Sequence, residues 1–158
     1  MISNEQQKLS FKQKPVDHIA IMKKSWGLTE KILSGEKTVE SRWYKNKHIS
    51  WDKIKVGDSL YFKDSGEPVT VKARVIKVLQ FANLAPEKIK EIMAQYGKAD
   101  LGVGHIMPEI RRYIANKNYC ILVFFKNPIK VEPFEINKAG FGAMSAWITI
   151  DSIERIKR

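Results

Sequence analysis

Between Val69 and Val75 apolar and polar residues alternate without a break. Val69, Val71, Ala73 and Val75 fall on one side, and Thr70, Lys72 and Arg74 on the other. Such a period of two belongs to a strand in an antiparallel sheet with one face buried and one wet. The turn signal Asp64-Ser65-Gly66-Glu67-Pro68 precedes it, and Ser59–Lys63 comes before that. Together these segments predict a hairpin. Further short strands are expected at His18–Lys23, Lys37–Trp43, Tyr119–Phe125 and Trp147–Ile150, with Ile129–Phe134 continuing the third of these beyond Asn127-Pro128. Tyr119–Phe125 is apolar at nearly every position, so it belongs at the centre of the sheet.

Helical periodicity interrupts this series three times. Leu28, Ile32 and Leu33 share a face behind a Ser25 cap, and Gly35 stands where the helix should stop. Pro86 and Glu87 open a second helix, with Ile89, Ile92, Met93 and Tyr96 inward and Gly97 as its end. A Gly-rich loop follows. A third helix starts near Pro108 and turns Ile106, Ile110, Tyr113 and Ile114 inward. Asp151 would cap a short basic helix at the end of the chain. The expected class is α+β: five to seven mostly antiparallel strands, two to four short helices, and a small closed sheet whose middle helices cover one end. Residues 1–16 are polar, contain Pro15, and read as an arm; residues 17–158 read as one domain.

Charge narrows the partner. The formal net charge is +11 over 158 residues, which favours phosphates or other anionic surfaces. The densest stretch, Lys23–Lys55, holds nine basic and four acidic residues, with Trp26, Trp43, Tyr44 and Trp51 between them. Cations neutralise phosphates while aromatic faces stack on bases, so this mixture suits unpaired RNA. A structural alternative stands beside it, in which the tryptophans are core under an idle basic surface.

Metal and cofactor chemistry find no footing. His18, His48 and His105 show no ligand spacing. Gly102-Val103-Gly104 lacks the third glycine and the preceding strand of a dinucleotide fingerprint. The single cysteine, Cys120, sits inside an apolar run and reads as a small core residue. No apolar run reaches the roughly 20 residues of a membrane span. The first residues lack a signal-peptide segment. The expected setting is the cytoplasm, with no membrane, no metal and no cofactor. The oligomeric state is not legible.

Gly35, Lys37, Glu40 and Arg42 stand in the register G-x-K-x-x-E-x-R, after a first strand and a short helix. This pattern resembles the signature of the ASCH domain. Val56-Gly57-Asp58 with the hairpin after it, and Phe141-Gly142-Ala143-Met144-Ser145-Ala146-Trp147, also resemble that family. The resemblance covers residues 18 to about 150. It implies a PUA-like β-barrel with a cleft beside the signature loop. It also implies RNA binding, often near translation or transcription machinery. Some ASCH-like proteins are ribonucleases or amidohydrolases that remove acetyl from N4-acetylcytidine; the latter carry a threonine at the place of Glu40.

Three readings follow. The first is a binder of RNA or a modified nucleotide, its ligand held by Lys23, Lys24, Trp26, Lys37, Glu40, Arg42, Trp43, Tyr44, Lys45 and Lys47, with residues 141–145 nearby. In it, cations hold phosphate and Glu40 reads an amino edge. The second is an enzyme on the same ligand class, with Lys37, Glu40, Thr38 and Ser145 as its catalytic set. The third is a protein-interaction module. Strand alternation puts Thr38, Glu40 and Arg42 on one face, so Glu40 and Arg42 either pair with each other or face a ligand. Lys37 has the opposite parity and joins them only if the chain turns at Gly35.

Overall fold

The computed structural model describes residues 14–158. Its strands are β1 (Asp17–Met22), β2 (Val39–Tyr44), β3 (Ser59–Asp64), β4 (Val69–Phe81), β5 (Tyr119–Phe134) and β6 (Trp147–Ile150). Its helices are α1 (Leu28–Ser34), α2 (Pro86–Leu101) and α3 (Pro108–Ile114), with 3-10 turns at Lys24–Trp26 and Ile153–Arg155. One sheet holds the six strands in the order β2-β5-β4-β3-β1-β6. β1 and β3 run parallel, and the other four pairings are antiparallel. The sheet curls into a half-barrel, within the expected α+β class. Of the expected arm, residues 1–13 lie outside the described residues. Val16 is tied down, its N–H donating to Asp58 Oδ1 at 3.1 Å.

The alternation that predicts the strands also sorts the core. Ala20, Met22, Phe62, Val71, Val75 and Ile121 meet on the concave side, closed over by Leu28 and Ile32 of α1. On the opposite face Val39, Trp43, Cys120 and Leu122 pack under Ile89, Ile92, Met93 and Ile114 of α2 and α3. Those two helices therefore cover the outer face of β2 and β5 rather than one end of the barrel. The first half of β5, Tyr119–Phe125, is buried on both faces between β2 and β4, as its continuous apolar run requires. A third cluster joins Ile19, Tyr61, Val69, Phe134 and Ile148 to Ile153 and Ile156.

Local signals fail where backbone geometry overrides them. Ser25 lies in the 3-10 turn, and Gly27, at φ 62°, precedes α1 with no side-chain cap. Asn127-Pro128 does not break β5: Asn127 takes φ 56° and the ladder slips between Arg74↔Lys126 and Lys72↔Ile129. Ser152, not Asp151, caps the last turn by accepting from Glu154 N–H, and that turn is 3-10. Tyr113 is not turned inward; it is 49% exposed. The consequential difference is in α2. The helix passes through Gly97 and ends only at Leu101, with Gly102 at φ 71° donating its N–H to Lys98 O. Of the residues 98–104 expected to form a loop, 98–101 are its last turn.

His18 is fully buried in β1. Its Nε2 lies 2.7 Å from Asp58 Oδ2 and its Nδ1 2.8 Å from Thr149 Oγ1. A neutral ring satisfies both, donating through Nε2 and accepting at Nδ1. Burial lowers its pKa from 6.5, and the hydrogen bond and charge of Asp58 only partly counter that. The folded chain thus binds fewer protons than the unfolded chain just below pH 6.5. Stability is therefore expected to be full above that pH and to fall as the pH drops through the window beneath it. Urea midpoints measured from about pH 7.5 to about pH 5 should show the decline, and His18→Gln should flatten it. A wild-type midpoint that stays level through this window would refute the neutral buried histidine.

Candidate functional site

α1 stops at Gly35, whose φ of 83° needs a residue without Cβ. The chain then doubles back, with Lys37 N–H donating to Lys31 O at 2.9 Å. This turn places Lys37 beside Glu40 despite their opposite strand parity. Lys37 is 0% exposed. Its Nζ donates to Val39 O at 2.6 Å and to Asp100 Oδ1 at 2.8 Å, meets Asp100 O, and lies 3.0 Å from Glu40 Oε1.

Asp100 comes from the last turn of α2 and anchors that helix to β2. Its Oδ1 accepts from Ser41 N–H at 3.0 Å and its Oδ2 from Ser41 Oγ at 2.6 Å. Trp43 Nε1 donates to the same Ser41 Oγ at 2.9 Å. Glu40 Oε2 accepts from Arg42 Nη2 at 2.7 Å. Arg42 also reaches Ile21 O at 3.2 Å and Ala146 O at 3.1 Å, with its guanidinium 5.4 Å from the Trp147 ring.

Asp100, Lys37, Glu40 and Arg42 thus form a buried row of alternating sign with no net charge. Burial alone would push the Lys37 pKa down, but Asp100 and Glu40 raise it above its ordinary value. Burial would likewise raise Glu40, yet Lys37 and Arg42 hold it below the usual carboxylate range. Both groups remain charged, and each is saturated with partners. A lysine held this way is no proton acceptor near neutral pH.

A cleft of about 710 Å³ opens over the end of this row. Its floor is Glu40, Ser41 and Arg42, with Trp43 at the edge. One wall is Lys23 and Trp26 with Glu109, Arg112 and Tyr113 of α3; the other is Lys138 and residues 143–146. Trp26 and Tyr113 meet edge to face, ring centres 6.4 Å apart at 70°. Glu109 pairs with Lys23 and accepts from Trp26 Nε1 at 3.3 Å. Lys138 Nζ donates to Ala143 O and Ser145 O at 3.2 and 3.0 Å, which shapes the opposite wall. Met144, 95% exposed, stands at the tip of that wall. Among the described residues no carboxylate pairs with Arg112 or Lys138, and no acceptor lies within hydrogen-bond reach of the buried Arg42 Nε.

The cleft gathers Lys23, Trp26, Glu40, Arg42, Trp43 and Ser145 of the residues expected from the sequence. It leaves out the others. Lys37 lies behind the floor. Lys24 pairs with Glu67 at 2.6 Å. Thr38 is exposed and outside the lining. Tyr44 is stacked on His48 at 4.2 Å. Lys45 and Lys47 are exposed elsewhere, Lys47 lying 5.8 Å from the Trp51 ring. Ser145 Oγ donates to Trp147 O at 3.0 Å, an ordinary structural bond. Asp100, Glu109, Arg112, Tyr113 and Lys138 complete the site, and the sequence offered no local motif for any of them. Among the described residues no group of three or more His, Cys, Asp or Glu could hold a metal, and no helix is long and apolar enough to cross a membrane.

No family model matches the chain, and no curated protein matches its sequence. Solved structures do match. The crystal structure of ASCH from Zymomonas mobilis superposes with a TM-score of 0.60 at 13% identity, covering 84% of this chain and 85% of that one. A tyrosine-to-phenylalanine variant of that protein gives 0.59 at 13%, over 84% and 88%. A serine-to-alanine variant gives 0.60 at 14%, over 84% and 86%. At this identity the likeness establishes the fold: the chain has the ASCH-type α+β fold that its signature led us to expect.

Proposed function

We propose that the protein binds single-stranded RNA, or a modified nucleotide, in the cleft above Arg42. One observation carries this reading: three complementary features converge on one cavity. The Trp26–Tyr113 wall offers aromatic surface to a base. Arg112 and Lys138 are cations without carboxylate partners that line the cavity, Lys138 keeping one ammonium hydrogen beyond its two carbonyl bonds, and both offer charge to phosphate. Arg42 lines the floor with about 13% of its side chain exposed, a cationic donor surface for an oxygen acceptor on a ligand. A nucleotide presents all three complements together. In this reading Glu40 does not read a base edge. Both its oxygens are bound to cations, and it holds Arg42 in place. The cytoplasm remains the proposed setting.

The enzyme reading draws no comparable support. The ammonium of Lys37 is sealed off, Glu40 is ion-paired on both oxygens, and the Ser145 hydroxyl is committed to a carbonyl.

The test is binding of labelled single-stranded RNA across a salt series. Affinity should fall steadily as salt rises. Trp26→Ala should weaken binding by roughly 1–3 kcal/mol, or about 5- to 150-fold, while the protein stays folded. Arg112→Ala should reduce the salt slope by about 0.7, one single-strand phosphate contact. Binding indifferent to salt and to both substitutions would end the proposal. Cleaved RNA in the same lanes would revive the enzyme.

A further inference from the structure

α2 and α3 bury one face against β2 and β5, and along the margin between the two helices runs a second groove of about 690 Å³, its bottom formed by the edges of the core residues Ile89, Met93 and Ile114. The groove shares one lining residue, Ile114, with the cleft. Ile89, Met93, Ala94, Val103, Ile106 and Ile114 give it an aliphatic lining, and no phenylalanine, tyrosine or tryptophan is among its lining residues. Its other lining side chains include Lys90, Lys98, His105 and Arg111, and no carboxylate. Among the described residues none of Lys90, Lys98 and Arg111 is ion-paired. An apolar trough with a wholly basic rim is complementary to something apolar along its middle and acidic along its edges.

The groove also accounts for Gly97. A glycine inside a helix costs roughly 1 kcal/mol relative to alanine. Here Gly97 is buried beside the trough, where a Cβ would lie 3.3 Å from Met93 Cε. The lining follows α2 from Pro86 to Lys98, about 18 Å at 1.5 Å per residue. Lys90 and Lys98 stand about 12 Å apart along the same axis. One anionic headgroup cannot serve both ends of that row, so the occupant must carry anionic groups at intervals. The missing aromatic platform argues against bases, and the aliphatic floor with its adaptable Met93 suits branched side chains.

We propose that this groove docks an acidic amphipathic segment of a partner protein, its aliphatic side chains on the floor and its Asp and Glu residues against Lys90, Lys98 and Arg111. This does not depend on the cleft's ligand. The experiment uses the full chain and a fluorescent peptide of about 14 residues, with leucines at helical spacing and glutamates flanking them. A matched peptide replaces each glutamate with lysine. The acidic peptide should bind, and should weaken at least about tenfold when Lys90→Glu, Lys98→Glu and Arg111→Glu are combined. Ala94→Trp, which fills the trough and keeps the rim, should weaken it as well. The lysine peptide should not bind. Thermal midpoints verify that each variant is folded. Failure of the acidic peptide to bind, equal binding of both peptides, or full binding by both variants would overturn the proposal. So would loss of RNA binding in the charge-reversed variant alongside its retention in Trp26→Ala, which would make the groove the nucleic-acid site. Failure of the cleft reading shows separately, as RNA binding untouched by Trp26→Ala with peptide binding intact.

Discussion

Lys37→Met is expected to destabilise the fold by about 3–5 kcal/mol, because it leaves buried charge uncompensated. The methionine fills much of the same volume but donates nothing. Asp100 Oδ1 and Glu40 Oε1 lose their shared cation, and Val39 O and Asp100 O lose a buried donor. Domains of this size have only about 5–15 kcal/mol in total. The variant should therefore unfold at a much lower urea concentration, with tryptophan fluorescence and circular dichroism moving together. Lys53→Met, on an exposed turn, is the control and should change stability by less than about 0.5 kcal/mol. Equal midpoints for the two variants would show that the buried row does not hold α2 to β2. There is a consequence for function. Lost binding or lost turnover in a Lys37 variant measures unfolding first, so a direct role for this lysine requires a loss per folded molecule.

How much of this was legible beforehand depends on which interactions are local. The strand alternation, the Gly35 stop and the hairpin are properties of neighbouring residues, and they were readable. The signature register brought Gly35, Lys37, Glu40 and Arg42 together as a unit. Four spaced letters do not, however, distinguish a sealed ion network from an exposed one. The fourth partner was hidden by the reading of Gly97. Glycine is a weak helix stop, and the tertiary contacts of the next turn, Leu101 in the core and Asp100 on Lys37, favour carrying α2 past it. Ending the helix at Gly97 put Asp100 in a loop; ending it at Gly102 puts its carboxylate on Lys37. The cleft was half legible for a related reason. A dense run of lysines and tryptophans marks a region of chain, whereas a cleft is a region of space. Its far walls come from α3 and from Lys138, brought across by the curl of the sheet, while Lys45 and Lys47 lie elsewhere despite their proximity in sequence.

That curl gives Arg42 its second role, and Arg42→Lys separates the two. β2 stands at one end of the strand order and β6 at the other. Arg42, on β2, reaches Ile21 O of β1 and Ala146 O, the carbonyl that also accepts from Ile21 N–H at 2.9 Å. Its guanidinium therefore pins one edge of the half-barrel to the other while answering Glu40 at 2.7 Å. Lysine keeps the charge for Glu40, but one ammonium cannot reproduce the planar fork. The carbonyl bonds of the seam should be lost, at a cost of about 1.5–3 kcal/mol for bonds to a charged donor. Amide exchange should rise first at the β2 edge and in the segment from Ala146 into β6, before it rises in β4 and β5. RNA affinity per folded molecule should fall about tenfold or more, since the cleft floor loses both its shape and the guanidinium that lines it. A wild-type midpoint with wild-type affinity would remove Arg42 from both roles. A lowered midpoint with unchanged affinity would leave it a seam residue only, and the ligand would then have to be held by the Trp26–Tyr113 wall and its cations alone.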